Sequence, residues 1–217
     1  MEANFWHEKW EKKEIGFHEE KVNPILVENL AQLELEEGTR VFVPLCGKTK
    51  DIAWLLSQGF WVAGAELSEV AVYELFDEMG IAPKIEHHTH FSHFSAERLD
   101  IYVGDIFALS TLVLGAVDAI YDRAALVALP SAMRARYAQH LRKITQGAKQ
   151  LLVCFEYEQA QMVGPPFAVS EDEVRKHYAA HFQLRVLQAK AVAGRLKGKV
   201  EAVEKVYMLR AKHLGSL

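Results

Sequence analysis

Two runs of this chain carry the residues best spaced for chemistry: Arg40-Val41-Phe42-Val43-Pro44-Leu45-Cys46-Gly47-Lys48 and Trp61-Val62-Ala63-Gly64-Ala65-Glu66-Leu67. Both are apolar and β-rich. The first ends in a tight turn at Gly47, and the second ends in an acid, Glu66, nineteen residues after that glycine. This is the layout of a nucleotide-binding βαβ unit. Backbone N–H groups of the turn lie near a helix N-terminus, and the carboxylate accepts hydrogen bonds from ribose hydroxyls. The fingerprint G-x-G-x-x-G is absent, because Gly47 is the only glycine of the turn. Such a loop suits a ribose-bearing cofactor without a phosphate, of which S-adenosylmethionine is the common example, and it disfavours a nicotinamide dehydrogenase. The plain alternative for Glu66 is a charge capping a strand end; its spacing from the glycine turn favours the ribose role.

The elements that must position these groups follow from hydrophobic periodicity. Residues 4–35 read as two helical pieces broken at Gly16, with Pro24 opening the second. Strands are expected at about 40–46, 61–67, 99–105, 117–122, 150–156, 183–191 and 202–211. Helices are expected after the first strand, after Ser68 as N-cap, over 131–145, and after Ser170, where Ser170-Glu171-Asp172-Glu173 has the capping-box form. Residues 81–98, with Pro83, fit neither period clearly, and their four histidines lie in a loop-like region. Strands alternating with helices predict an α/β fold with a mostly parallel sheet covered on both faces. The last two strands have no helix between them, so one is expected to be antiparallel. The chain reads as a single domain over 1–217.

Bulk composition narrows the function classes. The 217 residues are 50% hydrophobic and 25% charged, with a formal charge of −4. A pI near 6.2 offers no electrostatic footprint for nucleic acid. No apolar stretch is long enough for a membrane span, and the N-terminal segment lacks the form of a secretory signal. The two cysteines, Cys46 and Cys154, read as reduced thiols, in keeping with a cytoplasmic protein. A monomer is the default expectation.

Other residues also carry two readings. Arg123 follows a buried strand, at the face where open α/β sheets bind ligands; the plain alternative is a salt bridge to Asp122 or Asp105. Trp6 and Trp10 lie four apart on one helical face, as a docking stripe or as a lid that excludes water. His87, His88, His90 and His93 lack the spacing of a zinc site and read as a solvated loop, so no metal is expected. Gly164-Pro165-Pro166-Phe167 begins with glycine and follows the wrong strand for a DNA amino-methyltransferase motif.

With these pieces in order, the chain resembles the bacterial thiopurine S-methyltransferases. The resemblance rests on Phe5-Trp6 with Trp10, Ile15-Gly16-Phe17-His18, Val22-Asn23-Pro24, Pro44-Leu45-Cys46-Gly47-Lys48 with Asp51, Gly64-Ala65-Glu66-Leu67-Ser68, Gly104-Asp105-Ile106-Phe107, Tyr121-Asp122-Arg123-Ala124-Ala125-Leu126 and Met162-Val163-Gly164-Pro165-Pro166-Phe167. It implies the Rossmann-like class I methyltransferase fold: seven strands, one of them antiparallel, with an N-terminal helical lid within 1–35. It also implies roles. Trp10 would lie on S-adenosylmethionine, Leu45, Gly47 and Leu67 would line its site, Glu66 would hold the ribose, and Asp105 and Ile106 would flank the adenine. Arg123 and Arg195 would face the acceptor. The family pattern is departed from at Gly194, where a proline usually precedes the arginine, and at Thr49 and Lys50.

The implied reaction is direct in-line transfer of a methyl group to a thiopurine or similar small thiol, leaving S-adenosylhomocysteine. Positioning two bound reactants is worth up to ~7–11 kcal/mol in well-oriented systems. The arginines would favour the thiolate and are not bases, since arginine stays protonated. Two other readings stand beside it: selenium or tellurium oxyanion-derived acceptors in a detoxification role, and a non-catalytic cofactor-binding sensor.

Overall fold

The computed structural model describes residues 3–16 and 18–212; Phe17, part of one of the sequence blocks above, lies outside them. The chain runs α1 (Ala3–Glu11), α2 (Pro24–Asn29), β1 (Arg40–Pro44), α3 (Lys50–Ser57), β2 (Trp61–Glu66), α4 (Glu69–Met79), β3 (Lys84–His87), β4 (Phe91–Ala96) and β5 (Leu99–Gly104). It continues with α5 (Thr111–Leu114), β6 (Ala119–Asp122), α6 (Ser131–Ile144), β7 (Lys149–Glu156), α7 (Glu171–Tyr178), β8 (Phe182–Ala191) and β9 (Val203–Ala211).

All nine strands form one sheet in the order β3-β4-β5-β2-β1-β6-β7-β9-β8. β5, β2, β1, β6 and β7 are parallel neighbours, and β9 is antiparallel to both β7 and β8. The seven-stranded frame expected from the sequence is therefore present, with β9 as its antiparallel member. It is widened by a β3–β4 hairpin, antiparallel to β5, where the sequence predicts a loop. Cross-strand contacts account for the histidines there. His93 stacks on Tyr102 at 4.9 Å and its Nε2 lies 2.8 Å from Asp100, while His87 meets Ser92 at 2.9 Å. The polar composition of 84–96 hid the pairing; only Phe94 is fully buried.

The parallel strands are buried on both faces, which explains their unbroken apolar runs. On one face Val41, Val43, Val62, Ile101 and Tyr121 pack against Ile25, Leu26, Ile52, Leu55, Val72 and Phe76 from α2, α3 and α4. On the other, Phe42, Ala63, Ile120 and Leu152 meet Tyr137, Leu141, Val174 and Tyr178 from α6 and α7. Helix starts follow the local signals. Asn23, Thr49, Ser68 and Ser170 each accept a backbone N–H of the turn they begin, satisfying donors a helix leaves orphaned. The capping box at Ser170 is only half made. Its hydroxyl takes the Glu173 N–H, but the Glu173 carboxylate turns to Arg134.

Candidate functional site

The carboxyl ends of the parallel strands bring the sequence-derived residues to one edge of the sheet. Beyond β1, Leu45 and Gly47 both adopt left-handed backbone, φ 47° and 53°. For Leu45 that conformation is strained by roughly 1 kcal/mol. Ala124, beyond β6, is also left-handed at φ 61°. Two such non-glycine positions at the ends of adjacent strands mark the place where backbone geometry is held against local preference.

Glu66 ends β2 and is buried, 6% exposed. Its Oε2 accepts the Gly47 N–H at 2.7 Å, and its Oε1 accepts those of Leu67 and Ser68 at 2.8 Å each. Burial pushes this carboxyl up, while the three N–H donors oppose the shift. Three of roughly four lone-pair sites are thus taken, and one on Oε2 stays open to a hydroxyl donor. Trp10, 3% exposed, packs its ring on the same turn: a Cβ added at Gly47 would stand 2.9 Å from Trp10 Cζ2. Helix α1 is thereby fastened over the glycine turn. Gly47→Ala is expected to displace Trp10 and loosen α1, costing about 1–3 kcal/mol through strain and overpacking. Thermal melts together with proteolysis within residues 3–16 would check it; a variant with wild-type stability and protection would refute the packing argument.

A cleft of about 490 Å³ opens at the residues that follow Glu66, walled by His7 and Glu11 of α1, the Leu67–Val70 segment, His88, His90, Phe91 and Ser92 of the hairpin, and Val103-Gly104. Its size and partly pre-formed walls fit a small-molecule site. At its β5 edge, Asp105 caps the next 3₁₀ turn through the Phe107 N–H at 2.9 Å, and Ile106 is buried with its carbonyl 2.8 Å from His140 Nε2. The acid at the end of β2, the one-glycine turn and this cleft fit the nucleoside portion of S-adenosylmethionine.

Arg123 follows β6, but its partner is neither Asp122 nor Asp105. The guanidinium is ion-paired with Glu19, from the strap between α1 and α2. Glu19 also accepts from Asn23 Nδ2 at 3.0 Å, and the Asn23 N–H donates to the buried Asp51 carboxylate at 2.8 Å. The strap is therefore tied at one end to the first turn of α3 and at the other to Arg123. Asp122 is turned to the opposite face, receiving the Leu126 N–H and the Tyr137 hydroxyl, and burial pushes its carboxyl up to about 6.

Arg195 lies on the β8–β9 connection, exposed, in a separate groove of about 390 Å³ with Glu158, Gln161, Lys199 and Glu201. It is not brought together with Arg123. Cys46 is buried and its thiol pushed up by that burial, the opposite of the shift that activates a cysteine nucleophile. Among the described residues no group of histidines, cysteines or acids is arranged to hold a metal, and no helix is long and apolar enough to cross a membrane. Sequence reasoning missed Glu19, the ion-pair partner of Arg123, and Glu204, on which the Arg123 charge acts. Alternation along β9 was the available signal for Glu204; Glu19 sits 104 residues from its partner and carried none.

The sequence model of the thiopurine S-methyltransferase family matches residues 1–212. The chain belongs to this family. It is 55% identical over 210 residues to the thiopurine S-methyltransferase of Xanthobacter autotrophicus, covering 96% of this chain and 99% of that one. It is 54% identical over 209 residues to the thiopurine S-methyltransferase of Teredinibacter turnerae, covering 96% and 97%. Among solved structures, the Burkholderia thailandensis 1,6-didemethyltoxoflavin-N1-methyltransferase, determined with 1,6-didemethyltoxoflavin and S-adenosylhomocysteine bound, superposes with a TM-score of 0.65. It is 16% identical, and the match covers 96% of this chain and 87% of that one, so the likeness is one of fold. The seven-stranded frame of this member of the thiopurine S-methyltransferase family is that of S-adenosylmethionine-dependent methyltransferases.

Proposed function

We propose that this protein transfers a methyl group from S-adenosylmethionine to the sulfur of thiopurines and similar small aromatic or heterocyclic thiols. The observation that carries the reading is Glu66, a buried acid at the end of β2, bonded to the one-glycine turn and to the Leu67-Ser68 backbone that lines a cleft of about 490 Å³. Membership of the family supplies the acceptor class.

When bound, S-adenosylmethionine supplies an electrophilic methyl on a sulfonium. The chain's own residues bind, orient and dry the site. Glu66 holds the ribose through the open lone pair on its Oε2. Leu45 and Gly47 present backbone at the methionine end, Leu67 lines the cleft, and Asp105 and Ile106 border the adenine side. Trp10 closes α1 over the turn and excludes water, which favours a reaction in which charge disappears. Arg123, mostly buried beside the strap, provides a fixed cation that favours a sulfur anion in the acceptor. Arg195, in its outer groove, would reach the acceptor only through movement of the β8–β9 connection.

Methyl-labelled S-adenosylmethionine and 6-mercaptopurine give the test. Label is expected on the base, with kcat/KM lowered by about 10–100-fold in Arg123→Ala, the range for one charged partner at roughly 1.5–3 kcal/mol. Folded wild-type protein that labels no thiol would overturn the acceptor class. Label transferred instead to selenium or tellurium compounds would replace it.

A further inference from the structure

Strand β9 places one more acid at the acceptor end of the site. Its residues alternate, with Val206 and Met208 entering the face that packs on α2, α3 and α4. Glu204 therefore points to that same face, the one covered by the N-terminal strap. Because β9 is antiparallel to β7, its first residues stand at the carboxyl ends of the parallel strands; Glu204 pairs with Phe155 of β7 and Lys190 of β8. Arg123, Glu19 and Lys190 are the charged groups that act on it.

Three acids and bases at this corner differ in what they are free to do. Arg123 is always protonated. Glu19 is committed to Arg123 and Asn23. The Glu204 side chain is half-buried and makes no hydrogen bond or ion pair among the described residues. We propose that Glu204 is the catalytic base that takes the proton from a neutral thiol acceptor held against Arg123. This rests on the S-methyltransferase reading above. The S–H bond breaks and its proton passes to the Glu204 carboxylate. The freed sulfur electron pair forms the new S–CH₃ bond, and the electrons of the old C–S bond return to the departing sulfur. Proton transfer also neutralises Glu204, removing a negative charge that would repel the forming thiolate. Burial pushes the Glu204 carboxyl up, in the direction that improves a base for work near neutral pH, with Arg123 opposing and Glu19 reinforcing the shift.

The test is a series of substituted thiophenols whose thiol pKa values span the assay pH, with wild type, Glu204→Gln and Glu204→Asp. The expected loss in kcat/KM for Glu204→Gln is about 10²–10³-fold on the least acidic thiols, within the range for general-base catalysis. That loss should shrink steadily as the thiol becomes acidic enough to ionise by itself, and Glu204→Asp should recover part of it. A readout that a merely structural role would not move is the pH profile: kcat/KM of wild type on the least acidic thiol should level off well below the thiol pKa, whereas that of Glu204→Gln should keep rising about tenfold per pH unit toward it. The same fractional loss across the whole series, with an unchanged pH profile, would make Glu204 merely structural and overturn the assignment. If Glu204→Gln does not fold, wild type decides: kcat/KM on the least acidic thiol should level off above the raised Glu204 pKa and well below that of the thiol. A tenfold rise per pH unit up to the thiol pKa would overturn the base. Wild type inactive on every thiol would sink the function itself, a result distinct from an active enzyme indifferent to Glu204.

Discussion

Glu66→Ala is expected to weaken S-adenosylmethionine binding by about 10–10²-fold. One ribose hydroxyl donating to the open lone pair on Oε2 of this ionised, desolvated carboxylate contributes roughly 1.5–3 kcal/mol, and alanine offers no acceptor. The substitution also strands the N–H groups of Gly47, Leu67 and Ser68, which all end on this carboxylate. A stability loss of about 1–3 kcal/mol should accompany it. Glu66→Gln separates the two effects, because it keeps the shape and one acceptor oxygen while losing the charge. Its affinity should fall between those of wild type and Glu66→Ala, with a melt closer to wild type. The charge itself is testable. Burial raises the Glu66 pKa, so wild-type affinity should fall on acidification through that raised value as the carboxylate protonates. Calorimetric titration beside thermal melts measures both quantities. Unchanged affinity in folded Glu66→Ala would remove Glu66 from the cofactor site.

Arg134 carries the largest expected effect on stability. It lies in α6 at 2% exposure, and its Nε donates to the Leu129 carbonyl at 2.9 Å. Its Nη1 reaches the Ala168 carbonyl at 3.0 Å and both Glu173 oxygens at 2.7 and 2.8 Å. One guanidinium thus joins the turn after β6, the segment before α7 and α7 itself, with Phe167 beneath it at 5.7 Å. Arg134→Met leaves two carbonyls without this donor and the Glu173 carboxylate with only His177 Nε2 at 3.2 Å. Breaking a buried pair from one side costs about 3–5 kcal/mol, and the partial exposure of Glu173 places the expectation near the lower end. The double variant Arg134→Met with Glu173→Leu should recover much of that loss, because no charge is then left unpaired. Urea unfolding monitored by circular dichroism checks it, with the midpoint falling and the slope unchanged. A single variant within about 1 kcal/mol of wild type would show that the cluster contributes no more than an exposed ion pair.

The sequence by itself determined the parts of this protein that local chemistry controls. Apolar runs marked the parallel strands, since a strand buried on both faces needs no alternation. Ser68 and Ser170 were legible as caps because a hydroxyl bonds an N–H three residues on, within the same turn. Gly47 and Glu66 were legible because their spacing is set by one βαβ unit, and the hydrogen bond between them closes it.

Tertiary structure decided the rest. The β3–β4 hairpin forms because β5 offers an edge to pair with, and its His87 and His93 find their polar partners, Ser92 and Asp100, across strands. Arg123 was visible as a residue, whereas its partner Glu19 depended on how the N-terminal strap crosses the sheet. Arg195 faces an outer groove because its connection packs Leu196 and Val200 against Met162 and Phe155, a choice made by long-range contacts. Glu204 comes under the influence of the Arg123 charge only because β9 runs antiparallel and inserts beside β7. Caps and periodicity act within a few residues, so one sequence displays them. Which charges meet across a hundred residues is set by the order of strands in the sheet.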